Sequence, residues 1–297
     1  MKISIIGVGR LGGALALALT NRNYKIENLI SRGGSAENAR KISELITPPQ
    51  PRILGEIEFS KIASDIIFIA TQDTEIEAVA ENLARELKNK PFVFHTSGAL
   101  SSGVLSELKK IGCPVASLHP LVSISDSVLG AGKFENAFFC VEGDKSAVDA
   151  AKEIVKSLGG KSFSIKARFK NLYHAAAVSA SGHLVALIDV ALEMLEKCDL
   201  PEAAAREILL PLVKSTLENL ETQTTARALT GTFARGDDQT LNKQIETLRE
   251  NVSIDALEVF LQLGSRSLHL ARRQNNVEAR KLDAMSEMLQ LAKKNIK

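Results

Sequence analysis

The chain has 297 residues, of which 45% are hydrophobic and 24% are charged, and its formal net charge is +2. This length and composition are those of an ordinary globular protein with room for two hydrophobic cores. The near-neutral charge, the few aromatic residues and the absence of a polybasic run argue against nucleic acid or a membrane surface as a partner. A small molecule is therefore the expected ligand.

The first predicted element is a short apolar strand, Lys2–Ile6, which leads into a glycine-rich turn and then an apolar helix over Leu11–Thr20. This order is typical of a dinucleotide site, where the helix N-terminus faces a pyrophosphate and the glycines allow a tight turn, close approach of the phosphates and close helix packing. The glycine pattern alone is weak, but its position between strand and helix favours phosphate binding over a purely steric role. The predicted cofactor contacts in this turn are Gly7, Gly9, Arg10, Leu11 and Gly12.

Strand-length and helix-length segments alternate through the first half of the chain, which predicts a mostly parallel sheet with right-handed crossovers. A short loop, Thr47–Arg52, interrupts the alternation only briefly. The fold class is therefore an α/β Rossmann domain over residues 1–167, whose sheet is extended at one edge by the last strands. After Lys2–Ile6, the predicted strands are Ile26–Ile30, Asp65–Ala70, Pro91–His95, Val115–Leu118, Ala137–Glu142 and Ser162–Ile165, with a helix over Ser146–Leu158.

From Arg168 onward the hydrophobic period is helical, which predicts an all-α second domain over residues 168–297. Its most apolar run, Ala175–Leu192, contains His183 and Asp189 and is expected to be a buried helix rather than a membrane span. Its small residues suit a wall between the domains or the interface of a homodimer. The predicted helices are Arg168–Cys198, Pro201–Glu221, Ser253–Arg273 and Glu278–Lys294, with a broken stretch over Thr230–Asp238.

The three cysteines, Cys113, Cys140 and Cys198, are far apart and do not form a Cys-x-x-Cys pair. They are expected to be buried thiols in a reducing compartment. The glycine-interrupted N-terminus does not resemble a signal peptide, so we expect a cytoplasmic protein.

The nature of the cofactor is indicated by the end of the second strand, where an NAD site would place a carboxylate against the ribose. This chain has Ser31-Arg32 there, and a hydroxyl with a guanidinium suits a 2′-phosphate, so NADP is favoured over NAD. A solvated arginine in a polar turn is the alternative. Thr71 and Gln72 follow a later strand and are also predicted to contact the cofactor, although Asp73 or Thr74 would alternatively cap the next helix.

Hydride transfer needs a proton donor or a positive group near the reacting heteroatom. Lys170 and His174 are four residues apart on a predicted helix that begins where the first domain ends, so their stripe is expected to face the cleft between the domains. His119 follows another strand. These three are the candidate catalytic residues, and His95 is predicted to lie against the cofactor. The alternatives are a solvated first helical turn for Lys170 and His174, and a simple turn histidine for His119.

The residues expected to orient a substrate lie in three segments of the chain. The segment Thr230–Asp238 breaks the helical domain, and an arginine there suits a substrate carboxylate, although an Arg-Asp pair that merely closes a loop is the alternative. The predicted substrate contacts are Ser97, Gly98, Ser181 and Arg235.

No histidine spacing indicates a metal site, so none is expected.

Several motifs together resemble a known group of bacterial proteins that join a Rossmann-like NADP-binding domain to a C-terminal helical domain of unknown function. These motifs are GVGRLGG, HTSGAL, SLHPL, KNLYHAAAVSASGHLVAL and LTGTFARGD. The group is similar in architecture to pyrroline-5-carboxylate reductase and, more distantly, to the β-hydroxyacid dehydrogenases. Ser179–Gly182 is similar to the reductase's substrate segment, with His183 in place of its proline. Lys170 matches the catalytic lysine of the dehydrogenases, with His174 in place of their asparagine.

The favoured hypothesis is an NADP-dependent oxidoreductase that acts on a small carboxylate-bearing carbonyl, imine or hydroxy compound. Lys170 would bind or protonate the heteroatom, assisted by His119 or His174. The alternative is an NADP-binding sensor or scaffold without turnover, because both catalytic motifs depart from those of the similar families and function resides in the site rather than in the fold.

Overall fold

The computed structural model describes residues 1–31 and 36–296, without the side chains of residues 56 and 57. The chain divides into two compact units, Met1–Ser181 and Gly182–Lys297. The first unit therefore extends beyond residue 167, where the sequence predicts the domain boundary.

The first unit is built on one eight-stranded sheet of order β3-β2-β1-β4-β5-β6-β7-β8. All neighbouring strands are parallel except β6 and β7, which are antiparallel. The predicted α/β class is confirmed, and the last strands extend the sheet at one edge as expected. The strands are β1 (Lys2–Ile6), β2 (Lys25–Ile30), β3 (Arg52–Leu54), β4 (Ile66–Ile69), β5 (Phe92–His95), β6 (Val115–Pro120), β7 (Phe138–Gly143) and β8 (Lys161–Phe163).

Helices cover both faces of this sheet, which is why its central strands are apolar throughout rather than alternating. Ile66 and Phe68 belong to the core on one face, and Ile67 and Ile69 belong to the core on the other. All four side chains are fully buried. The helices of the first unit are α1 (Arg10–Thr20), α2 (Ala36–Leu45), α3 (Asp73–Glu86), α4 (Ser106–Lys110), α5 (Ser127–Gly130), α6 (Lys145–Ser157) and α7 (Lys170–Ala180).

The second unit is helical, as predicted, and its core lies among its last three helices. Leu241, Leu261 and Met285, one from each of these helices, are fully buried. The sequence did not predict the helix Asp238–Asn251. Its sequence is largely polar, and its buried residues are Leu241, Ile245 and Leu248. The helices are α8 (Gly182–Glu196), α9 (Glu202–Thr222), α10 (Thr225–Ala228), α11 (Gly231–Arg235), α12 (Asp238–Asn251), α13 (Ile254–Gln274) and α14 (Ala279–Lys294).

The prediction that the apolar run Ala175–Leu192 is a buried helix is wrong for the single chain. Lys170 is the only buried residue of α7, and α8 has none. The segment Ala167–Glu196 is long and apolar enough to cross a membrane by length and composition, which is weak evidence on its own. Apolarity indicates that a surface avoids water, but it does not indicate which molecule covers that surface.

The prediction that the cysteines are buried is confirmed for two of them and is wrong for the third. Cys113 and Cys140 are buried and unpaired, and burial raises the pKa of both thiols. Cys198, two residues beyond the end of α8, is exposed like much of that helix, which has no buried residue.

Candidate dinucleotide and active site

The glycine turn between β1 and α1 is shaped by contacts that exclude side chains at two of its positions. Gly7 has a φ of +91°, and a Cβ on Gly12 would lie 2.0 Å from the Gly7 carbonyl oxygen. By contrast, a Cβ on Gly9 would meet no protein atom within 4 Å. Protein packing therefore requires Gly7 and Gly12, whereas Gly9 faces open space.

The N-terminus of α1 beside this space is free to bind an anion. Gly9 is its N-cap and offers no side-chain cap, and the first turn contains no acidic residue. The side chain of Asn38 on α2 donates a hydrogen bond to the Val8 carbonyl and so fixes the turn. Backbone N–H groups and the positive end of the helix dipole are consequently directed at the open space.

A first cavity of about 360 Å³ lies over the ends of β1, β2 and β4, and Gly7, Gly9, Ser31, Thr71 and Gln72 are among its lining residues. The hydroxyl oxygens of Ser31 and Thr71 are buried without a hydrogen-bond partner. Such groups are costly unless a ligand or water satisfies them. Arg32, the predicted partner of a 2′-phosphate, lies outside the described residues.

The alternative interpretation of the segment after β4 as a side-chain helix cap is not supported. Helix α3 begins at Asp73, and its N-cap, Gln72, makes no side-chain capping hydrogen bond. Thr71, Gln72 and Ala70 line both the first cavity and a second one of about 420 Å³. The two cavities thus adjoin along the ends of the central strands, where ligands of open α/β sheets bind.

Besides the segment after β4, the second cavity brings together residues from four other segments of the sequence. Arg10 and Leu11 from α1, and Ser97 and Gly98 after β5, line it. His119 on β6 and His174 on α7 line it as well, with ring centroids 6.0 Å apart and ring planes at 81°. Of the three predicted catalytic residues, the structure places these two histidines at the cavity.

Gly98 explains how the two histidines approach the backbone so closely. A Cβ at this position would lie 2.5 Å from His174 Cδ2 and 2.8 Å from His119 Nε2. No real Cβ tolerates such distances, so any larger residue would displace the rings. Gly98 therefore acts here through its lack of a side chain.

Lys170, the third predicted catalytic residue, does not line the cavity. It is 1% exposed, and its ammonium group donates hydrogen bonds to Ser97 O at 3.2 Å and to Ser117 Oγ at 2.8 Å. Burial lowers its pKa, and the nearby Cys140, Glu142 and Asp73 oppose that shift. The alternative of a solvated first helical turn is therefore wrong for Lys170, which anchors α7 to the strand ends of the first unit.

This anchoring explains why the first unit extends through α7 rather than ending at residue 167. A second tie comes from Tyr173, whose hydroxyl lies 2.8 Å from His119 Nδ1. The Tyr173 ring also contacts Phe163 edge-on at 5.8 Å. The sequence did not single out Tyr173, Ser117 or Asn38. The only signal was that Ser117 shares the SLHPL motif with His119 and Tyr173 shares the KNLYH motif with Lys170 and His174.

His95, predicted to contact the cofactor, is fully buried and lines neither cavity. Its Nδ1 accepts a hydrogen bond from Ser97 N at 3.2 Å, and its Nε2 has no hydrogen-bond partner. Burial and the charge of Lys170 lower the pKa of His95 to about 3, partly opposed by the Ser101 backbone.

The pKa of His119 is lowered as well. Burial, Lys170 and His174 lower it to about 4. Both imidazoles are therefore neutral at pH 7.

These two pKa values predict that the first unit loses stability in acid. The unfolded chain, with an ordinary histidine pKa of 6.5, binds more protons than the folded chain between pH 6.5 and about 4, so the free energy of unfolding falls as the pH falls. We expect a loss of about 2 kcal/mol for each histidine between pH 7 and pH 5. Urea unfolding followed by tyrosine fluorescence measures it, because both tyrosines, Tyr24 and Tyr173, belong to the first unit.

The control separates this effect from general acid sensitivity. His119→Gln should reduce the loss by about half, whereas His183→Gln, at an exposed histidine, should leave it unchanged. An equal pH dependence in all three proteins would contradict the assignment.

The other predicted substrate residues lie apart from this cavity or in the second unit. Ser181 is exposed at the end of α7 and lines neither cavity. Arg235 is exposed at the end of α11. The Asp237 carboxylate caps α12 by accepting a hydrogen bond from Thr240 N at 3.0 Å, and the charge of Arg235 helps to lower its pKa, so the alternative of an Arg-Asp-tied loop stands beside the substrate role. Among the described residues, no group of three or more histidine, cysteine or acidic side chains is placed to hold a metal ion.

Two family models match the chain, and each covers less than half of it. Residues 1–120 match the Rossmann-like domain, and residues 137–267 match the domain of unknown function DUF2520. The resemblance inferred from the sequence motifs is confirmed by these matches.

Solved structures share the fold over nearly the whole chain. Protein TM1727 from Thermotoga maritima superimposes with a TM-score of 0.70, at 23% identity, over 92% of this chain and 100% of that one. Pyrroline carboxylate reductase from Plasmodium falciparum, with NADP bound, gives a TM-score of 0.57 at 18% identity over 98% of each chain.

A curated relative matches a shorter part of the sequence. Glycerol-3-phosphate dehydrogenase [NAD(P)+] from Enterococcus faecalis is 23% identical over 117 residues, which are 37% of this chain and 34% of that protein. The match thus spans about a third of the relative's length. The chain consists of a Rossmann-like domain followed by a DUF2520 domain, and its fold is that of NAD(P)-dependent dehydrogenases and reductases.

Proposed function

We propose that the protein is an NADP-dependent oxidoreductase that acts on a small carboxylate-bearing carbonyl, imine or hydroxy compound. The observation that carries this proposal is the adjacency of the two cavities, one formed at the glycine turn and the other lined by two histidines. A dinucleotide spans such a pair of spaces, since its two halves bind on either side of the pyrophosphate.

The residues of the first cavity fit the cofactor. The open space at Gly9 and the uncapped α1 N-terminus suit the pyrophosphate, and the unpartnered hydroxyls of Ser31 and Thr71 suit its polar groups. The cofactor, when bound, supplies or accepts the hydride. The protein's task is then to hold the substrate beside it and to stabilise the charge that develops on the substrate's oxygen or nitrogen.

His119 and His174 are the residues placed for that task. Both line the second cavity, and His119 is neutral at pH 7, so it acts by hydrogen bonding rather than as a cation. Lys170 does not line the cavity and acts indirectly, because its hydrogen bond to Ser97 O fixes the turn that contains Gly98. The carboxylate on the substrate stays a prediction from the sequence.

The preference for NADP over NAD rests on Ser31-Arg32 at the end of β2. Ser31 lines the first cavity, and no carboxylate follows it directly in the sequence. An arginine pairs with a 2′-phosphate, whereas NAD sites place an acidic residue there.

A turnover assay tests the function directly. Small keto acids, hydroxy acids and cyclic imines are offered with NADPH and with NADH, while absorbance of the reduced cofactor is followed. We expect turnover with NADPH to exceed that with NADH at least tenfold, and Arg32→Ala to abolish the preference. Tight NADPH binding without turnover of any compound would instead favour a sensor or scaffold.

We further propose that a second copy of the chain covers the exposed apolar helices. Val185 on α8 is 71% exposed and Leu212 on α9 is 63% exposed. Asp189 on α8 and Lys214 on α9 interrupt these surfaces with charges, which suit a protein partner better than the interior of a membrane. Large exposed apolar surfaces mark interaction sites, and most protein oligomers are built from copies of one chain.

This proposal predicts a dimer that one exposed substitution disrupts. Light scattering coupled to size exclusion should give twice the 32.1 kDa mass, and Leu212→Lys should give the monomer mass. Leu291→Lys is the matched control, because Leu291 is 61% exposed on α14 of the same unit. A monomeric wild-type protein that cosediments with phospholipid vesicles would contradict the proposal.

A further inference from the structure

Tyr173 has no role in the function proposed above, yet its hydroxyl is hydrogen-bonded to His119, one of the two cavity histidines. Its hydroxyl lies 2.8 Å from His119 Nδ1, and the rings meet edge-on at a centroid distance of 5.6 Å. Burial and the neighbouring Cys140 raise the pKa of Tyr173, so its hydroxyl keeps its proton at pH 7. The phenol is therefore able to donate a hydrogen bond.

The direction of this hydrogen bond follows from the available partners. A neutral imidazole carries its proton on one nitrogen only, and the other nitrogen accepts. Among the described residues, the Tyr173 hydroxyl has no acceptor besides His119 Nδ1. If Nδ1 carried the proton, the phenol proton would be left without a partner in a half-buried place, which costs free energy.

The other nitrogen of His119 faces the cavity. A Cβ on Gly98 would lie 2.8 Å from His119 Nε2, and both residues line the second cavity. Among the described residues, the only hydrogen bond of the His119 ring is the one at Nδ1, so no protein group is hydrogen-bonded to Nε2. A proton on Nε2 would consequently be available to a ligand.

We infer that Tyr173 is a positioning residue that donates its hydroxyl proton to His119 Nδ1 and thereby fixes His119 as the neutral tautomer with its proton on Nε2. His119 then presents an Nε2–H donor to the carbonyl oxygen or imine nitrogen of a substrate. The tautomer is a property of the free protein, and only the contact with a substrate rests on the proposed function.

The groups around His119 agree with a neutral ring. Positive charge on Lys170 disfavours a proton on both nitrogens at once, and a hydrogen bond donated to Nδ1 acts in the same direction. The titratable groups around His119 on the neighbouring elements are Lys170, Tyr173 and His174 on α7, Cys140 opposite it on β7, and His95 on β5. Two charged residues, Arg10 on α1 and Asp73 on α3, line the same cavity.

Nitrogen-15 NMR of the free protein, labelled at histidine, tests the tautomer without any substrate. We expect His119 Nδ1 at pH 7 to have the shift of an unprotonated nitrogen and Nε2 that of a protonated one. Tyr173→Phe should give a mixture of tautomers and raise the pKa of His119, because it removes the donor to Nδ1. Tyr24→Phe is the matched control, since it removes the only other phenol of the chain and should change neither.

The kinetic arm uses any compound that the turnover assay identifies. Tyr173→Phe should lower kcat by about tenfold with little change in KM, and should move the acid limb of the pH–rate profile to higher pH. A wild-type His119 that carries its proton on Nδ1, or a Tyr173→Phe variant with an unchanged tautomer and pKa, would overturn the inference. If no compound is turned over, the proposed function fails, while the NMR experiment still decides the tautomer.

Discussion

Replacing Gly9 with alanine is expected to weaken NADPH binding at least a hundredfold while leaving the folded protein intact. The new Cβ would meet no protein atom within 4 Å, so packing is undisturbed and the free energy of unfolding should change by less than about 1 kcal/mol. The methyl group would instead occupy the space in front of the α1 N-terminus, where we place the pyrophosphate. Calorimetric titration with NADPH measures the affinity, and urea unfolding measures the stability.

Two other glycines provide the controls. Gly132→Ala also adds a methyl group in open space, but Gly132 lines neither of the two cavities, so binding and stability should both be unchanged. Gly12→Ala should lose both, because its Cβ would lie 2.0 Å from Gly7 O. Normal NADPH affinity in Gly9→Ala would mean that this space is not used by the cofactor.

Removal of the Lys170 side chain is expected to have the second large effect. In Lys170→Ala, the buried side chain is lost together with its hydrogen bonds to Ser97 O and Ser117 Oγ. We expect the free energy of unfolding of the first unit to fall by about 3 kcal/mol. Turnover should fall at least a hundredfold, because the turn that carries Gly98 loses its anchor.

Lys170→Met separates packing from charge. Methionine keeps an unbranched side chain of similar length, and Ser117 Oγ still donates to Ser97 O at 3.3 Å, so more than half of the lost stability should return. Turnover should remain low, and the pKa of His119 should rise because a neighbouring positive charge is absent. The control is Lys133→Met, which removes a surface lysine that is hydrogen-bonded to Ser123 O and should leave turnover unchanged. Turnover at the wild-type level in Lys170→Met would show that the charge is not needed.

The first half of the fold was predictable because its signals are local. Each central strand is a short apolar run, and each following turn contains small or polar residues. The short strand β3 was not predicted, since Arg52–Leu54 follows a proline-rich loop and has only three residues. Helix α12 was missed because its sequence is largely polar, and only three of its residues are buried.

The site was predictable in its parts but not in its connections. The positions of His119, Gly98 and His174 follow from strand ends and helix spacing. The direction of Lys170 does not, because it depends on Ser97 and Ser117, which lie 73 and 53 residues away in sequence. Tyr173 became visible only through its distance to His119. The buried interpretation of the apolar helix failed for a different reason, since a sequence does not show whether a surface is covered by its own chain.

The sheet itself limits how this protein can be divided. Strands β7 and β8 lie within residues 137–267, which match DUF2520, yet they complete the sheet of the first unit. A fragment ending at residue 120 would leave β6 as an edge strand with unpaired backbone groups along an apolar strand, which is a template for aggregation. A usable fragment must therefore end after α7, and an exchange of helical domains between related proteins must keep residues 137–181 with the sheet that they complete.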